Sequence, residues 1–209
     1  TARGTTTVAD GDGFLTNDGG TMRMTNVTTL ATYIGTKITG GSMVYLASSG
    51  ALSDAANVSF TQFDASKYDH YEFWFQHLIP ATDNVSLLGH VSTDGGSNYD
   101  TTDGNYHANG AVDKTGLVVV TSAIGSASGE YGFSGDFRLF APHNSSAFTY
   151  SHSHGTYQAV NSAVHGPEIN GTTNSAHLAA QDTDAIRFAF SSGNIESGEI
   201  VMYGLANGS

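Results

Sequence analysis

Cysteine is absent from all 209 residues, which removes disulfides, thiolate zinc sites and thiol catalysis at once. Stability must therefore come from packing, a bound metal or oligomerisation. Only 7 Lys and Arg stand against 19 Asp and Glu, and the formal charge of −12 repels phosphate backbones, so no nucleic-acid partner is expected. The same field disfavours anionic membrane surfaces and leaves neutral glycans and proteins open as partners. No apolar run reaches bilayer-spanning length, so no membrane insertion is expected. The N-terminus shows no charged-then-apolar signal pattern, and a start at Thr1 reads as a processed or trimmed end. Charged residues make up 12% of the chain, about half the usual share, so the surface must be largely Ser, Thr, Asn and Gly.

Against 3 Pro stand 26 Gly, and Tyr and Phe supply most of an 11% aromatic share, a mixture that favours short strands joined by tight turns. Residues 1–40 read as a connector, a Gly/Asp/Thr-rich opening followed by VTTLATYIGTKI. Asn26 suits an N-cap, and Val27, Leu30, Tyr33 or Ile34, and Ile38 fall at helical spacing until Gly40-Gly41. From 41 to 209 strand follows strand: SMVYLAS, ANVSF, YEFWFQHL, VSLLGHV, TGLVVVTSA, DFRLFA, AFTYSH, TYQAV, AIRFAF and GEIVMYGL, separated by turn clusters. About ten strands without a repeat of blade length predict an all-β, jelly-roll-like β-sandwich carrying a short N-terminal connector helix. In Tyr71–Leu78 both faces carry bulk, with Tyr71, Phe73 and Phe75 on one and Trp74 and Leu78 on the other. That pattern predicts a strand covered on both sides, central in the sandwich or at a subunit contact.

The segments AIRFAF and SSGNIESGEIVMYGL, read as two antiparallel strands at a Gly/Asn corner, carry a resemblance together with YEFWFQHLIPATDN and STDGGSNYD. Over roughly residues 42–205 the chain resembles the β-sandwich modules of tailed-phage fibres and related virion surface proteins. The pattern DGGT…MTNVTTLATYI likewise resembles the connectors that precede fibre tip modules. The resemblance implies a non-enzymatic structural protein on the virion surface, assembled in host cytoplasm. It further implies a tail fibre or receptor-binding module, a homotrimer that contacts other virion proteins and a host surface glycan or protein. Leu30, Tyr33 and Ile34 are the expected oligomer or attachment contacts.

His152-Ser153-His154 is the tightest pair among nine His, and residues two apart on a strand share a face, so both imidazoles could serve one metal ion. Similar pairs in phage fibre tips hold axial metal ions; the alternative is a solvated Ser/His loop. Asp10-Gly-Asp12-Gly13 offers carboxylates to calcium but lacks EF-hand spacing, and a solvated turn is the better reading. No cofactor is required by any motif. Ligand recognition is expected on long loops, Ser92–Ala111 and Ser151–Thr173, with Tyr99, Tyr106, His107, His152 and His154 as the stacking and hydrogen-bonding residues.

For catalysis, Asp69/Glu72 and Glu130/Asp136 are the candidate acid pairs, and Asp69 and Glu72 face opposite ways on an extended strand. Gly132-Phe-Ser134-Gly135 falls one residue short of a nucleophile elbow, and no phosphate-cradling loop occurs. Three other readings compete with the fibre: a capsid decoration or head-fibre protein, a carbohydrate-active enzyme, and a carbohydrate-binding module.

Overall fold

A computed structural model of the chain describes residues 7–37, 43–109, 111–127, 130–158 and 168–206. The chain divides into two compact units, built on residues 1–41 and 42–207.

In the first unit β1 (Gly13–Asp18) and β2 (Thr21–Asn26) form an antiparallel hairpin, followed directly by α1 (Val27–Lys37). The hairpin is additional to the expected elements. Its turn needs two residues at positive φ, which Gly19 and Gly20 supply at +59° and +92°. Asn26 caps α1 as the sequence predicts: its Oδ1 accepts the Thr29 N–H at 2.7 Å, satisfying one of the helix's orphan donors. The expected continuation to Ile38 and the Gly40-Gly41 stop lie outside the described residues. Apolar side chains here are open to solvent, including Phe14, Leu15, Met22, Met24, Tyr33 and Ile34, with Leu15 70% and Met24 74% exposed.

The second unit comprises β3 (Met43–Ser48), β4 (Leu52–Ala55), β5 (Val58–Phe60), β6 (Tyr68–Pro80), β7 (Val85–Ser92), β8 (Tyr106–Ala108) and β9 (Ala111–Lys114). The chain continues through β10 (Leu117–Ile124), β11 (Phe133–Phe140), β12 (Phe148–Tyr157), β13 (Glu168–Ala180), β14 (Ala185–Phe190) and β15 (Ile195–Ala206). A four-stranded sheet, ordered β10-β7-β14-β5, faces a nine-stranded sheet ordered β3-β15-β6-β11-β12-β13-β8-β9, with β4 also on β15. All pairings are antiparallel, and the unit is the expected all-β sandwich. The core is aromatic. Phe188 of β14 meets Phe60, Phe73, Phe75 and Phe137 edge-on, with centroids 5.0 to 6.3 Å apart, the geometry that aligns positive ring edges with negative faces.

Three expectations are corrected. First, AIRFAF and GEIVMYGL do not pair with each other: β14 joins the small sheet and β15 the large one, and the corner at Gly193 (φ +72°) carries the chain between them. Both strands thereby send alternate apolar residues into one shared core. Second, most of Ser151–Thr173 that is described is strand, not loop. Strand β12 turns Thr149, Ser151 and Ser153 inward, where Ser153 Oγ donates to the Val119 carbonyl at 2.5 Å and Thr149 meets Thr183 at 3.2 Å. Small hydroxyls satisfied across the sandwich replace the apolar residues that mark most strands. Third, Leu78 shares the buried face of Tyr71, Phe73 and Phe75 instead of Trp74's. A bulge explains it: Gln76 and His77 both point outward, His77 at φ +45°, so the alternation shifts by one residue. Trp74, expected to be covered, is 48% exposed.

Candidate recognition face

The register of the large sheet places Tyr45, Tyr203, Glu72, Arg138 and His152 side by side across five strands. The next outward row runs Trp74, Asp136 and His154, and on the other side lie Leu205, His70, Phe140 and Tyr150. These side chains stand on the outer face because Phe73, Phe75, Phe137, Leu139 and Met202, alternating with them, fill the core. Tyr45 is 59% exposed and Tyr150 53%.

The charged groups on this face contact one another. Arg138 Nε lies 3.2 Å from Glu72 Oε2 and 3.6 Å from Asp136 Oδ1, and His154 Nδ1 is 4.0 Å from Asp136 Oδ2. Trp74 Nε1 donates to Glu72 Oε1 at 2.8 Å, so the ion pair fixes the orientation of an exposed indole. Such solvent-facing pairs add little stability. What they contribute is a fixed arrangement of ring faces and hydrogen-bonding groups, the chemistry that saccharides and protein surfaces both engage. Beyond Trp74 the face ends in a pocket of about 270 Å³ at the His77 bulge.

His152 and His154 lie on this outer face as a strand pair, as expected of residues two apart. Among the described residues no three His, Asp or Glu are grouped to hold one ion. Asp12 accepts the Ala9 N–H at 2.8 Å, forming a closed turn. His107 is half-buried on β8, two strands from β12. Tyr106 is fully buried, which corrects its expected stacking role: its hydroxyl donates to the Asp100 carbonyl at 2.7 Å and its ring lies 4.8 Å from His177. Tyr99 is half-buried with its ring 4.6 Å from the Arg187 guanidinium, a cation–π contact that closes the 92–105 loop over the small sheet. The structure thus brings His152 and His154 together and sets Tyr99 and Tyr106 apart, around Asp100. In the first unit Leu30 is half-buried and lines a groove with Tyr33, whereas Ile34 is 45% exposed.

Neither acid pair forms an isolated couple. Glu72 and Asp136 both contact Arg138, and Glu130 Oε2 accepts the Ala127 N–H at 2.7 Å within its own turn. Asp69 stands on the opposite side of β6 from Glu72.

Beneath the 92–105 loop lies a cluster that sequence reasoning missed. His90 is 7% exposed opposite Arg187, and its Nδ1 has no partner. Burial pushes its pKa down to about 4, the Arg187 charge adding to the effect and Asp100 opposing it. His177 Nε2 lies 2.9 Å from Asp100 Oδ2. Burial raises the Asp100 pKa, but hydrogen bonds from His177, Thr102 and Asn105 outweigh it and hold the carboxyl at about 2. Also missed were Tyr45, Glu72 as Trp74's partner, Arg138 and Tyr203; the doubly bulky YEFWF run was the available signal.

Fold and face define an all-β sandwich with an aromatic outer surface on its large sheet. No protein-family model matches the chain, and no curated protein or solved structure matches it either. Among the described residues no helix is long and apolar enough to cross a membrane.

Proposed function

We propose that the chain is a non-enzymatic structural protein of a tailed-phage virion surface, a tail-fibre or receptor-binding module that assembles as a homotrimer. One observation carries the reading: the first unit leaves its apolar side chains open, whereas the sandwich is closed on its own core. A unit of 41 residues that exposes Phe14, Leu15, Met24 and Tyr33 is too small to be stable without further burial. Copies of the chain and neighbouring virion proteins supply that burial, through Leu30, Tyr33 and Ile34 among others. The sandwich is then free to present its outer face to a host glycan or protein. Metal chemistry is not needed for this role, although His152 and His154 of several copies could meet on an axis.

An electron-density map of the particle that carries the chain tests the proposal. The reading expects the sandwich on the outside with residues 1–41 towards the particle; an internal location would overturn it. The same map separates a tail fibre from a capsid decoration or head fibre.

A further inference from the structure

The pocket at the end of the outer face is lined by His77, Tyr131, Gly132, Ser134, Thr156, Tyr157 and Gln158. None of these is Lys, Arg, Asp or Glu. The backbone takes unusual geometry at three positions around the bulge, two of them, His77 and Gly132, in the pocket lining. His77 sits at φ +45°, Gly132 at +61° and Gly198 at +125°. A Cβ on Gly132 would strike the Leu78 carbonyl, and one on Gly198 would come within 2.7 Å of the His77 carbonyl. Gly132, just before β11, and Gly198 of β15 therefore both lie close against the bulge. Strain that is over-determined in this way concentrates at ligand sites.

The walls are of two kinds. Tyr131 is 70% exposed and meets the His77 ring edge-on at 6.3 Å, giving an aromatic side. The lining also carries hydroxyl and amide groups. Ser134 Oγ accepts the His77 N–H at 3.0 Å and so retains its own hydrogen to donate, and Thr156 is exposed beside it. A cavity lined by ring faces and hydroxyl groups, without Lys, Arg, Asp or Glu, matches the amphipathic character of a sugar ring. About 270 Å³ is small for a ligand pocket, enough for one such unit. The Trp74–Asp136–His154 row lies two residues further along β11 and β12, about 7 Å away, where a second unit of a chain would meet the indole.

We propose that this pocket binds a single neutral saccharide unit, with the outer face continuing the contact along a glycan. The formal charge of −12 selects against uronates and sialylated sugars. The inference rests on the recognition role proposed above but is tested separately from it.

The test is saturation-transfer NMR on the full chain with the methyl glycosides of glucose, galactose and N-acetylglucosamine, and methyl glucuronide as the charged probe. At least one neutral glycoside should bind saturably in the millimolar range and more tightly than the glucuronide. Tyr131→Ala should weaken it at least ~10-fold and the isosteric Thr156→Val about 3-fold, while Lys67→Ala leaves it unchanged. Tyr131 is so exposed that its truncation does not threaten folding. Absence of saturable binding, indifference to both pocket substitutions, or tighter binding of the glucuronide would each overturn the proposal. Assembly mass and position on the particle would be unaffected by those outcomes, so failure here is distinguishable from failure of the broader reading.

Discussion

The backbone N–H of His77 is bound at 3.0 Å by the side-chain oxygen of Ser134, on the neighbouring strand. A bulge frees an amide from the strand ladder, and that amide needs another partner. Ser134 therefore does for His77 what a strand carbonyl does elsewhere. This one contact joins fold to site, since the same bulge turns Leu78 into the core and opens the pocket outside.

The bulge is expected to be intolerant of side chains on its flanks. Gly132→Ala should destabilise the protein by roughly 3 kcal/mol, combining a strained φ with a clash against Leu78. Gly50→Ala, also at positive φ (+64°) but in open space, should cost only about 1 kcal/mol. Urea denaturation of the two variants measures the difference, and equal losses would remove the clash from the account.

Acid should weaken the sandwich through His90. Its folded pKa of about 4 lies below the ordinary 6.5, so folding favours the neutral ring. The stability this contributes is complete above about pH 6.5 and is lost as pH falls towards 4, on the order of 3 kcal/mol in all. Asp100, held at about 2, acts in a lower window, between its ordinary 3.8 and 2. Denaturation midpoints at pH 7, 5.5 and 4.5 should fall steeply for the native chain and less for His90→Gln.

Ser175 ties the two sheets together. Its hydroxyl accepts the Val118 N–H at 3.0 Å and donates to the Val118 carbonyl at 3.2 Å. Ser175→Ala should cost about 1–3 kcal/mol by leaving buried backbone groups unpaired. Thermal unfolding checks it; an unchanged midpoint would show that water fills the gap.

Much of the sandwich was legible because β6, β7 and β14 are short runs rich in aliphatic and aromatic residues bounded by turn clusters, and Asn26 announced its helix. Strand β12 was read only at its ends, as AFTYSH and TYQAV, and β13 not at all, for a physical reason: inward positions hold Ser and Thr, while His152, His154 and Tyr150 face outward, so periodicity ran against the usual sign. Trp74's row was visible as one side of a doubly bulky strand, but its exposure depends on what covers the sheet. The shift at Leu78 depends on Gly132 and Gly198, 54 and 120 residues further along the chain, and no local window contains that information. Tyr106 shows the same limit, since a Tyr between Gly/Asn-rich turns reads as a loop residue until its hydroxyl is seen bound to Asp100.

In the proposed trimer, assembly closes the first unit's exposed apolar surface, so Leu30→Asp should place a charge in that contact. A loss of several kcal/mol is expected if that contact is closed. Sedimentation of the variant should show dissociation; an unchanged species would make α1 a solvated linker.

The most direct measurement is the solution mass of the full chain by multi-angle light scattering at neutral pH. The account predicts a species three times the 21.8 kDa chain mass, stable to dilution. A stable monomer that retains residues 1–41 would contradict it.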